Sequence, residues 1–449
     1  MASPGGRSAF RGAAGEWLVA AGLLLSPPLA RAQQDVSPLA PYVGHNVTAI
    51  DLDGNKVTKD YVVRREIHTA VGEPLVLDTV ADDLQRLENL SVFAQVRVEG
   101  RADGEGVRIT LRIREMPPVI PFVGMAYTEE NGFSVGPGVS ALNLAGRQIS
   151  LSGRAYFGGT TQYWARLTWP WISGNHFSSG MYFANIDRHD ELESFQEHSK
   201  EFSPRVGTYL GTHGRLNGMF TLFQMRSDVS GKTLSPDNED LLVRLGASVG
   251  WDTRDSWRYP RHGWRNEIEM WRTGGGLGGD GDFWTLNVDL RRWQPTAPKQ
   301  RLMVTGLLTL QSGIVGQDLP VYLQYHMGGA NSIRGYSISD LGQTIYGKDQ
   351  LIGTAEYSFN LKRLRRYDVF KWSLRLGLDF ALLADVGTAW DEPRQFSMNR
   401  TRAGVGAGLR LLVPGSEMTR FDIGWSPDQG FHFHFASGSK PTAQRNRLR

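Results

Sequence analysis

The sequence of 449 residues contains no cysteine, which excludes disulfide bonds and thiolate metal sites. Outside the extreme N-terminus it has no apolar run approaching the ~20 residues that a membrane-spanning helix needs, so a helical membrane protein is not expected. Charge of one sign is not in excess either, because Lys and Arg total 49 against 46 Asp and Glu. A nucleic-acid partner, which needs a concentrated basic face, is therefore not predicted.

Catalytic motifs are missing as well. The sequence contains no G-x-S-x-G, no H-E-x-x-H and no glycine-rich phosphate loop, so we predict that the protein is not an enzyme and uses no cofactor or metal. The segment 274–282 is rich in Gly and Asp, but one isolated copy is more typical of a flexible loop than of a calcium site. His432 and His434 have no partner motif that would indicate catalysis.

The first 32 residues have the features of a secretory signal peptide. Arg7 and Arg11 supply the positive n-region, residues 17–25 form a short apolar h-region, and small residues precede a predicted cleavage site between Ala32 and Gln33. The apolar run is too short to span a bilayer. We therefore predict an exported protein.

Residues 33–44 contain two prolines and are predicted to be a linker, and residues 45–116 have the pattern of a small α+β domain. A strand, two helices and two strands are expected in that order. In the second helix, spacings of three and four residues place Val80, Leu84, Leu87 and Leu90 on one face. The last strand alternates apolar residues with polar ones, so one of its faces should be buried.

Residues 117–437 consist of short alternating stretches with scattered glycines and with Trp or Tyr near their ends. About sixteen such stretches are present, an even number as single-chain bacterial barrels prefer. Short turns, predicted at 143–146, 171–175, 212–214 and 413–416, alternate with long polar connections at 188–202, 227–240 and 313–349. The pattern predicts an all-β transmembrane barrel of about sixteen antiparallel strands, with both ends on the periplasmic side. A soluble β-sandwich would not produce this alternation. The basic cluster of Lys362, Arg363, Arg365 and Arg366 is predicted at a periplasmic turn. A basic tail, 438–449, follows.

The longest connection contains the segment Gly328-Gly329-Ala330-Asn331-Ser332-Ile333-Arg334-Gly335-Tyr336. The sequence around it resembles the BamA/TamA superfamily of outer-membrane barrels, and residues 45–116 resemble a POTRA domain. In that superfamily a [V/I]-R-G-[Y/F] motif folds from the sixth extracellular loop into the lumen, and Ile333 to Tyr336 match it. The resemblance implies that Arg334 meets acidic residues on strands twelve and thirteen, where Glu356 and Asp385 match the pattern. An exposed loop arginine is the alternative.

The C-terminal stretch resembles the β-signal that the assembly machinery of this superfamily recognises. Its polar residue is Asp428, its glycine is Gly430, and its aromatic residues are Phe433 and Phe435. Barrels of the superfamily usually stop at the terminal aromatic residue. The basic tail 438–449 departs from that pattern, which leaves its position in the lumen or the periplasm open.

The resemblance implies a location in the bacterial outer membrane, with the POTRA domain in the periplasm. The function that it implies is assistance of the insertion, assembly or translocation of proteins, with outer-membrane lipids around the barrel. The POTRA domain would bind unfolded client proteins by strand addition, or a periplasmic partner. The alternative is a passive or lipid-conducting pore whose POTRA domain only docks such a partner.

Overall fold

A computed structural model describes residues 34–128, 131–173, 176–190, 194–257, 259–337, 345–369, 372–412 and 418–437. The predicted cleavage site at Ala32 and Gln33, the predicted turn at 413–416 and the basic tail 438–449 lie outside these residues. Among the described residues, no helix has the length and apolar character needed to cross a membrane.

The N-terminal domain has the predicted order of strand, two helices and two strands. Its elements are β1 (Val47–Asp53), α1 (Asp60–Arg64), α2 (Leu77–Asn89), β2 (Phe93–Asp103) and β3 (Gly106–Glu115). β3 is the central strand of the sheet and pairs in parallel with β1 and antiparallel with β2. The predicted apolar face of α2 is buried against this sheet: Val80, Leu84, Leu87 and Leu90 are all in the core. The α+β prediction is confirmed.

Residues in the predicted linker pack on this domain. Ser37–Tyr42 form a 3-10 helix, and Leu39 within it is fully buried in the domain core. Gly100 of β2 makes this packing possible, because a Cβ atom there would lie 2.7 Å from a methyl group of Leu39. Residues 37–42 of the predicted linker therefore pack as part of the domain. The two prolines of the segment gave no indication of this packing.

The rest of the chain forms a barrel of sixteen antiparallel strands, as predicted. The first eleven are β4 (Val119–Thr128), β5 (Gly132–Leu144), β6 (Ile149–Gly158), β7 (Thr160–Ser173), β8 (Phe177–Asp190), β9 (Phe195–Leu210), β10 (Gly214–Ser227), β11 (Glu239–Asp252), β12 (Gly263–Gly274), β13 (Asp282–Ala297) and β14 (Gln300–Gln311). A two-stranded sheet, β15 (Tyr325–Met327) with β16 (Ile345–Gly347), lies in the long connection that follows. The last five barrel strands are β17 (Asp349–Val369), β18 (Trp372–Trp390), β19 (Arg402–Leu412), β20 (Thr419–Ser426) and β21 (Gly430–Ser437). Further 3-10 turns are Gly275–Leu277, Val321–Leu323, Pro393–Gln395 and Met398–Arg400.

Alternation along the strands places polar side chains in the lumen and apolar ones outside. In β14, Thr305 and Thr309 are buried on the inner face, whereas Leu310 is among the exposed residues of the outer face. In β21, Phe433 is 54% exposed while its neighbour His434 is buried. An apolar outer band around a polar interior is the arrangement expected of a barrel in a lipid bilayer.

Two predicted connections are strand in the structure. The expected long connection at 188–202 is occupied largely by β8 and β9, which extend to Asp190 and begin again at Phe195. The basic cluster at 362–366, expected at a turn, belongs to β17, which continues to Val369 with irregular pairing around Lys362. These strand ends carry polar residues on both faces, so they lack the alternation that marks a strand within a bilayer.

The barrel has a seam between its first and last strands. β4 and β21 are neighbours in space, yet within the part of the chain that the structure describes no backbone ladder joins them. Every other neighbouring pair of barrel strands is hydrogen-bonded. The barrel is therefore nearly closed, with one interruption in its hydrogen bonding.

The POTRA-like domain docks on the turn between β5 and β6. The main-chain N–H of Lys59 donates to the carbonyl of Gly146 at 3.0 Å, and the side-chain amide of Asn143 donates to the Thr58 hydroxyl at 2.8 Å. Gly146 has φ +71°, and a Cβ atom there would lie 2.0 Å from the Val57 carbonyl oxygen. The docked position therefore requires glycine at residue 146.

A second contact between the domain and the barrel is a chain of stacked groups along the same rim. The Arg65 guanidinium lies 4.4 Å from the Trp171 ring centre, and the His176 ring lies 3.7 Å from Trp171 and 4.3 Å from Tyr209. Arg215 continues the chain at 5.0 Å from Tyr209. The domain is thus held against the barrel at more than one point.

Candidate functional site

The long connection after β14 folds back into the lumen, where it packs on a cluster of apolar side chains. Ile333 is fully buried among Leu307, Ile352, Tyr336 and the residues of the β15–β16 sheet. This packing positions the residue that follows it, Arg334, whose side chain is 1% exposed. The sequence motif is therefore lumenal in the structure, and it does not lie on an exposed loop.

Arg334 forms a paired contact with Asp385 of β18. Its Nε donates to one carboxylate oxygen at 2.7 Å and its Nη2 donates to the other at 2.8 Å. The main-chain N–H of Arg334 donates to Asp385 at 3.1 Å, and the Thr354 hydroxyl donates to it at 2.7 Å. A planar guanidinium matches a carboxylate in this two-point geometry, which a lysine cannot reproduce.

Glu356 belongs to the same cluster but has a different main partner. It lies 3.6 Å from Nη1 of Arg334 and accepts no hydrogen bond from that residue among those described. Arg410 of β19 donates to it instead, from Nη2 at 2.6 Å and from Nε at 3.1 Å. The contact that the resemblance implied is thus close for Asp385 and longer for Glu356.

Asp422 of β20 joins the two arginines. It accepts a hydrogen bond from Nη1 of Arg334 at 3.2 Å and another from Arg410. Arg420 lies 3.9 Å from the same carboxylate and donates to the carbonyl of Ala330 in the loop. Three arginines, 334, 410 and 420, therefore face three carboxylates, 356, 385 and 422, so this buried cluster carries no net charge. We call these six residues the lumenal cluster.

Two glycines on the barrel wall let the loop backbone approach it. A Cβ atom on Gly404 would lie 2.0 Å from the Arg334 carbonyl oxygen, and one on Gly424 would lie 2.3 Å from the Gly335 nitrogen. Gly335 itself has φ +96° and faces the backbone of Trp425. Any larger side chain at these positions would push the loop away from the wall.

The loop also contacts the last hairpin of the barrel. The main-chain N–H of Gly335 donates to Nε2 of His434 at 3.0 Å, and the Tyr336 hydroxyl donates to Asp428 at 2.9 Å. Asp428, predicted as the polar residue of the β-signal, lies in the turn between β20 and β21. Gly430 begins β21 with φ +78°.

The two aromatic residues of the predicted β-signal lie on the outer side of β21. Phe433 is exposed there, and Phe435 packs against Phe421 with tilted rings, at 4.9 Å between ring centres. His434, between them, is buried on the lumenal side. Recognition of these residues as a signal stays a prediction.

The sequence did not indicate Arg410, Asp422 or Arg420. Strand alternation could have placed these residues on the inner face. Asp422, for example, pairs with His434 across β20 and β21, and both residues point inward. Inward charged residues are common in polar lumens, however, and alternation alone does not show which of them meet.

Comparisons with known proteins agree with the barrel and the N-terminal domain described above. A family model described as the Omp85 superfamily domain matches residues 143–440. The chain belongs to the Omp85 superfamily. A second model, POTRA, described as a surface antigen variable number repeat, matches residues 45–116. The protein is thus an outer-membrane β-barrel of the BamA/TamA type with a POTRA domain in front of it.

Individual relatives are more distant. The chain is 26% identical over 400 residues to the outer membrane protein assembly factor BamA of Nitratidesulfovibrio vulgaris, covering 86% of this chain and 49% of that protein. The chain therefore spans about half the length of the curated relatives that it matches. Its fold is similar to BamA from Haemophilus ducreyi lacking POTRA domains 1–3, with a TM-score of 0.55, 18% identity and coverage of 88% and 83% of the two chains. It is similar to CdiB from Acinetobacter baumannii at the same TM-score, with 14% identity and coverage of 88% and 73%.

Proposed function

We propose that this protein assists the insertion, assembly or translocation of other proteins at the bacterial outer membrane. The observation that carries the proposal is the seam between β4 and β21, the one interruption in the hydrogen bonding of the described barrel strands. An unpaired strand edge offers backbone donors and acceptors to another strand without reading its sequence. A client strand can therefore pair there while it enters the membrane.

The POTRA domain supports the same function. In its sheet, β2 lies at one edge, where an extended client segment could add as a further strand. The domain docks on the rim of the barrel that carries the β5–β6 turn, and β4 begins at this rim. Because the number of strands is even, β21 ends at the same rim. We therefore place this rim and the domain in the periplasm, where unfolded clients arrive, and the barrel in outer-membrane lipid.

The lumenal cluster has a structural part in this proposal. It ties the long loop to β17, β18, β19 and β20, the strands that lead to the seam. A fixed wall beside an unpaired edge would keep the template strand in place while a client binds. The cluster itself performs no chemical step.

The test is photocrosslinking from outward positions on the barrel. A photoreactive residue replaces Val123 on β4 or Phe433 on β21, and the control position is Ile268 on β12, which is also exposed but lies within the closed ladder. We expect crosslinks to an unfolded outer-membrane client from the two seam positions alone. Equal yields at all three positions, or no client crosslinks, would contradict the proposal and would favour a passive or lipid-conducting pore.

A further inference from the structure

The connection between β11 and β12, which we call the strap (253–262), crosses the mouth of the barrel at the rim on which the POTRA domain docks. The Trp257 ring centre lies 4.8 Å from the guanidinium carbon of Arg215 on β10, and the Tyr259 hydroxyl donates to Asp379 on β18. β10 and β18 are six strand intervals apart, so roughly 29 Å of barrel wall separates them. Because Trp257 and Tyr259 are only two residues apart in the sequence, the tip of the strap lies over the lumen.

Short-range contacts fix the base of the strap. The guanidinium of Arg254 holds both carboxylate oxygens of Asp252, at 2.8 and 2.7 Å. The carboxylate of Asp255 accepts a hydrogen bond from the main-chain N–H of Arg261 at 2.8 Å, which joins the two stems of the strap. Gly263, with φ +109°, permits their close approach, because a Cβ atom there would lie 2.3 Å from a main-chain carbonyl oxygen of the opposite stem. Movement of the strap therefore has to occur at its tip.

The wall site that receives Tyr259 keeps partners of its own when the tyrosine leaves. Asp379 is fully buried, and it also accepts hydrogen bonds from Asn360 of β17 at 2.7 Å and from Arg301 of β14 at 3.4 Å. A buried carboxylate without a donor would be costly, but these two donors stay on the wall. Arg301 also stacks on the Tyr259 ring at 4.3 Å and donates to the carbonyl of Pro260. Release of the tip therefore leaves the carboxylate of this site paired.

The other side of the tip contacts the POTRA domain. The main-chain N–H of Trp257 donates to the side-chain oxygen of Asn89, the last residue of α2, at 3.4 Å. Arg215, beside the Trp257 ring, also stacks on Tyr209 and so continues the chain of stacked groups that begins at Arg65 of the domain. The tip is thus held by the docked domain on one side and by β18 on the other.

A lumenal cavity of about 370 Å³ lies behind the strap. Asp252 and Arg254 at the base of the strap line it, and so do Ser248 and Asn287 deeper in the lumen. The docked domain contacts the rim at the β5–β6 turn and at β7, and the strap crosses from β10 to β18. Domain and strap together therefore restrict the route from this rim into the cavity.

We propose that the strap gates the lumen at the docking rim, and that a polypeptide segment enters from this rim only after Tyr259 leaves Asp379 and the tip moves away from β18. Undocking of the POTRA domain removes the contact between Asn89 and the tip, so it favours the open position. The gate goes beyond the proposed function, because it controls access to the lumen whether or not a client strand pairs at the seam.

The experiment measures how fast a polymer reaches a thiol in the cavity. Because the chain lacks cysteine, Ser248→Cys supplies a single reporter there. The purified full-length protein in neutral detergent is treated with a maleimide carried by a long polyethylene glycol chain and, in a parallel reaction, with N-ethylmaleimide. The release variant is Tyr259→Phe. Its control, Tyr357→Phe, also removes a bonded hydroxyl, which donates to Gln300, but from the outer face of β17.

We expect the polymer to label Tyr259→Phe about tenfold faster than the reporter protein or Tyr357→Phe, because a hydrogen bond to a buried carboxylate shifts the open population by about that factor. N-ethylmaleimide should label all three at similar rates. Trp257→Ala, at an exposed position, should also accelerate the polymer reaction, and it tests the gate if Tyr259→Phe fails to fold. Unchanged polymer rates in both strap variants would overturn the proposal, as would equal acceleration in Tyr357→Phe or with N-ethylmaleimide. These outcomes are independent of client crosslinking at the seam.

Discussion

The guanidinium of Arg334 holds both carboxylate oxygens of Asp385, at 2.7 and 2.8 Å, across 51 residues of sequence. Both side chains are almost fully buried. A buried ion pair contributes little net stability when it forms, but removal of one partner leaves a buried charge without compensation. The pair therefore determines where the loop lies, and its loss should be costly.

Arg334→Ala should destabilise the barrel by roughly 3–5 kcal/mol, because three buried carboxylates would lose a partner. Heat-modifiability on gels should fall and the long loop should become sensitive to protease. Arg334→Lys should restore only part of the loss, since an ammonium cannot form the two-point contact. The control is Arg394→Ala, whose ion pair with Glu392 is exposed and should be worth at most about 1 kcal/mol. Equal effects of the two alanine variants would contradict the buried contact.

Double-mutant cycles should rank the partners of Arg334. Asp385→Asn should couple more strongly to Arg334→Ala than Glu356→Gln does, because the hydrogen bonds of Glu356 go to Arg410. The measurement is the unfolding temperature of the single and double variants. Coupling of contacting residues is typically about 0.5–3 kcal/mol, so strict additivity with Asp385→Asn would show that the contact does not form.

Gly424→Ala should displace the loop without removing any charge. Its added methyl group would lie 2.3 Å from the Gly335 nitrogen, whereas the methyl group of Gly306→Ala, the control on β14, has no atom within 4 Å. Overpacking of this kind costs about 1–3 kcal/mol. We expect protease sensitivity of the loop in Gly424→Ala alone. A loop that stays protected would mean that its backbone does not lie on β20.

The sixteen strands and the motif at Arg334 could be predicted because they depend on local pattern. Alternation with period two marks each strand inside a bilayer, and the outward position of Phe433 beside the inward His434 follows from it. The pattern fails where strands leave the bilayer. Residues 188–190 and 362–366 carry polar side chains on both faces, with Leu364 the one apolar residue among them, so the sequence could not show that β8 and β17 continue through them.

The partners of the motif could be predicted only in part. Glu356 and Asp385 were implied by resemblance, whereas Asp422 and Arg410 become partners only because the loop crosses β19 and β20 at Gly404 and Gly424. The path of the loop over β19 and β20 depends on tertiary contacts, and the alternation of residues along the sequence does not encode those contacts. The same reason applies to Leu39, which packs on the POTRA domain from a segment that resembles a linker.

Docking of the POTRA domain should depend on Gly146. Gly146→Ala would place a methyl group 2.0 Å from the Val57 carbonyl, whereas Gly211→Ala, the control in the β9–β10 turn, combines a similar φ of +65° with open space. Because the chain lacks cysteine, Thr58→Cys with Asn143→Cys can report docking through disulfide formation. We expect the yield of this crosslink to fall in Gly146→Ala and to stay unchanged in Gly211→Ala. The reverse order would place the docking contact elsewhere.

Docking should also weaken in acid because of His176. Burial between Trp171 and Tyr209, together with the nearby charges of Arg65 and Arg215, lowers the pKa of His176 from 6.5 to about 4. Arg65 belongs to the POTRA domain, whereas Trp171, Tyr209 and Arg215 belong to the barrel and stay beside His176 when the domain undocks. Because of the charge of Arg65, the docked state binds fewer protons at His176 than the undocked state does. The contribution of His176 to docking is fully present above pH 6.5 and is lost progressively as the pH falls toward 4.

Energy transfer between dyes at Glu73→Cys on the domain and Gly211→Cys on the barrel rim measures this effect. Transfer should be constant above pH 7 and should decrease between pH 6.5 and 4. His176→Phe keeps an aromatic ring in the stack but cannot be protonated, so its transfer should stay constant through this range. His189→Phe, on the opposite half of β8, should behave like the native protein. An equal decrease in all three proteins would assign the acid sensitivity to groups other than His176. If energy transfer in the native protein did not decrease at all, the His176 ring would not be enclosed in the docked state.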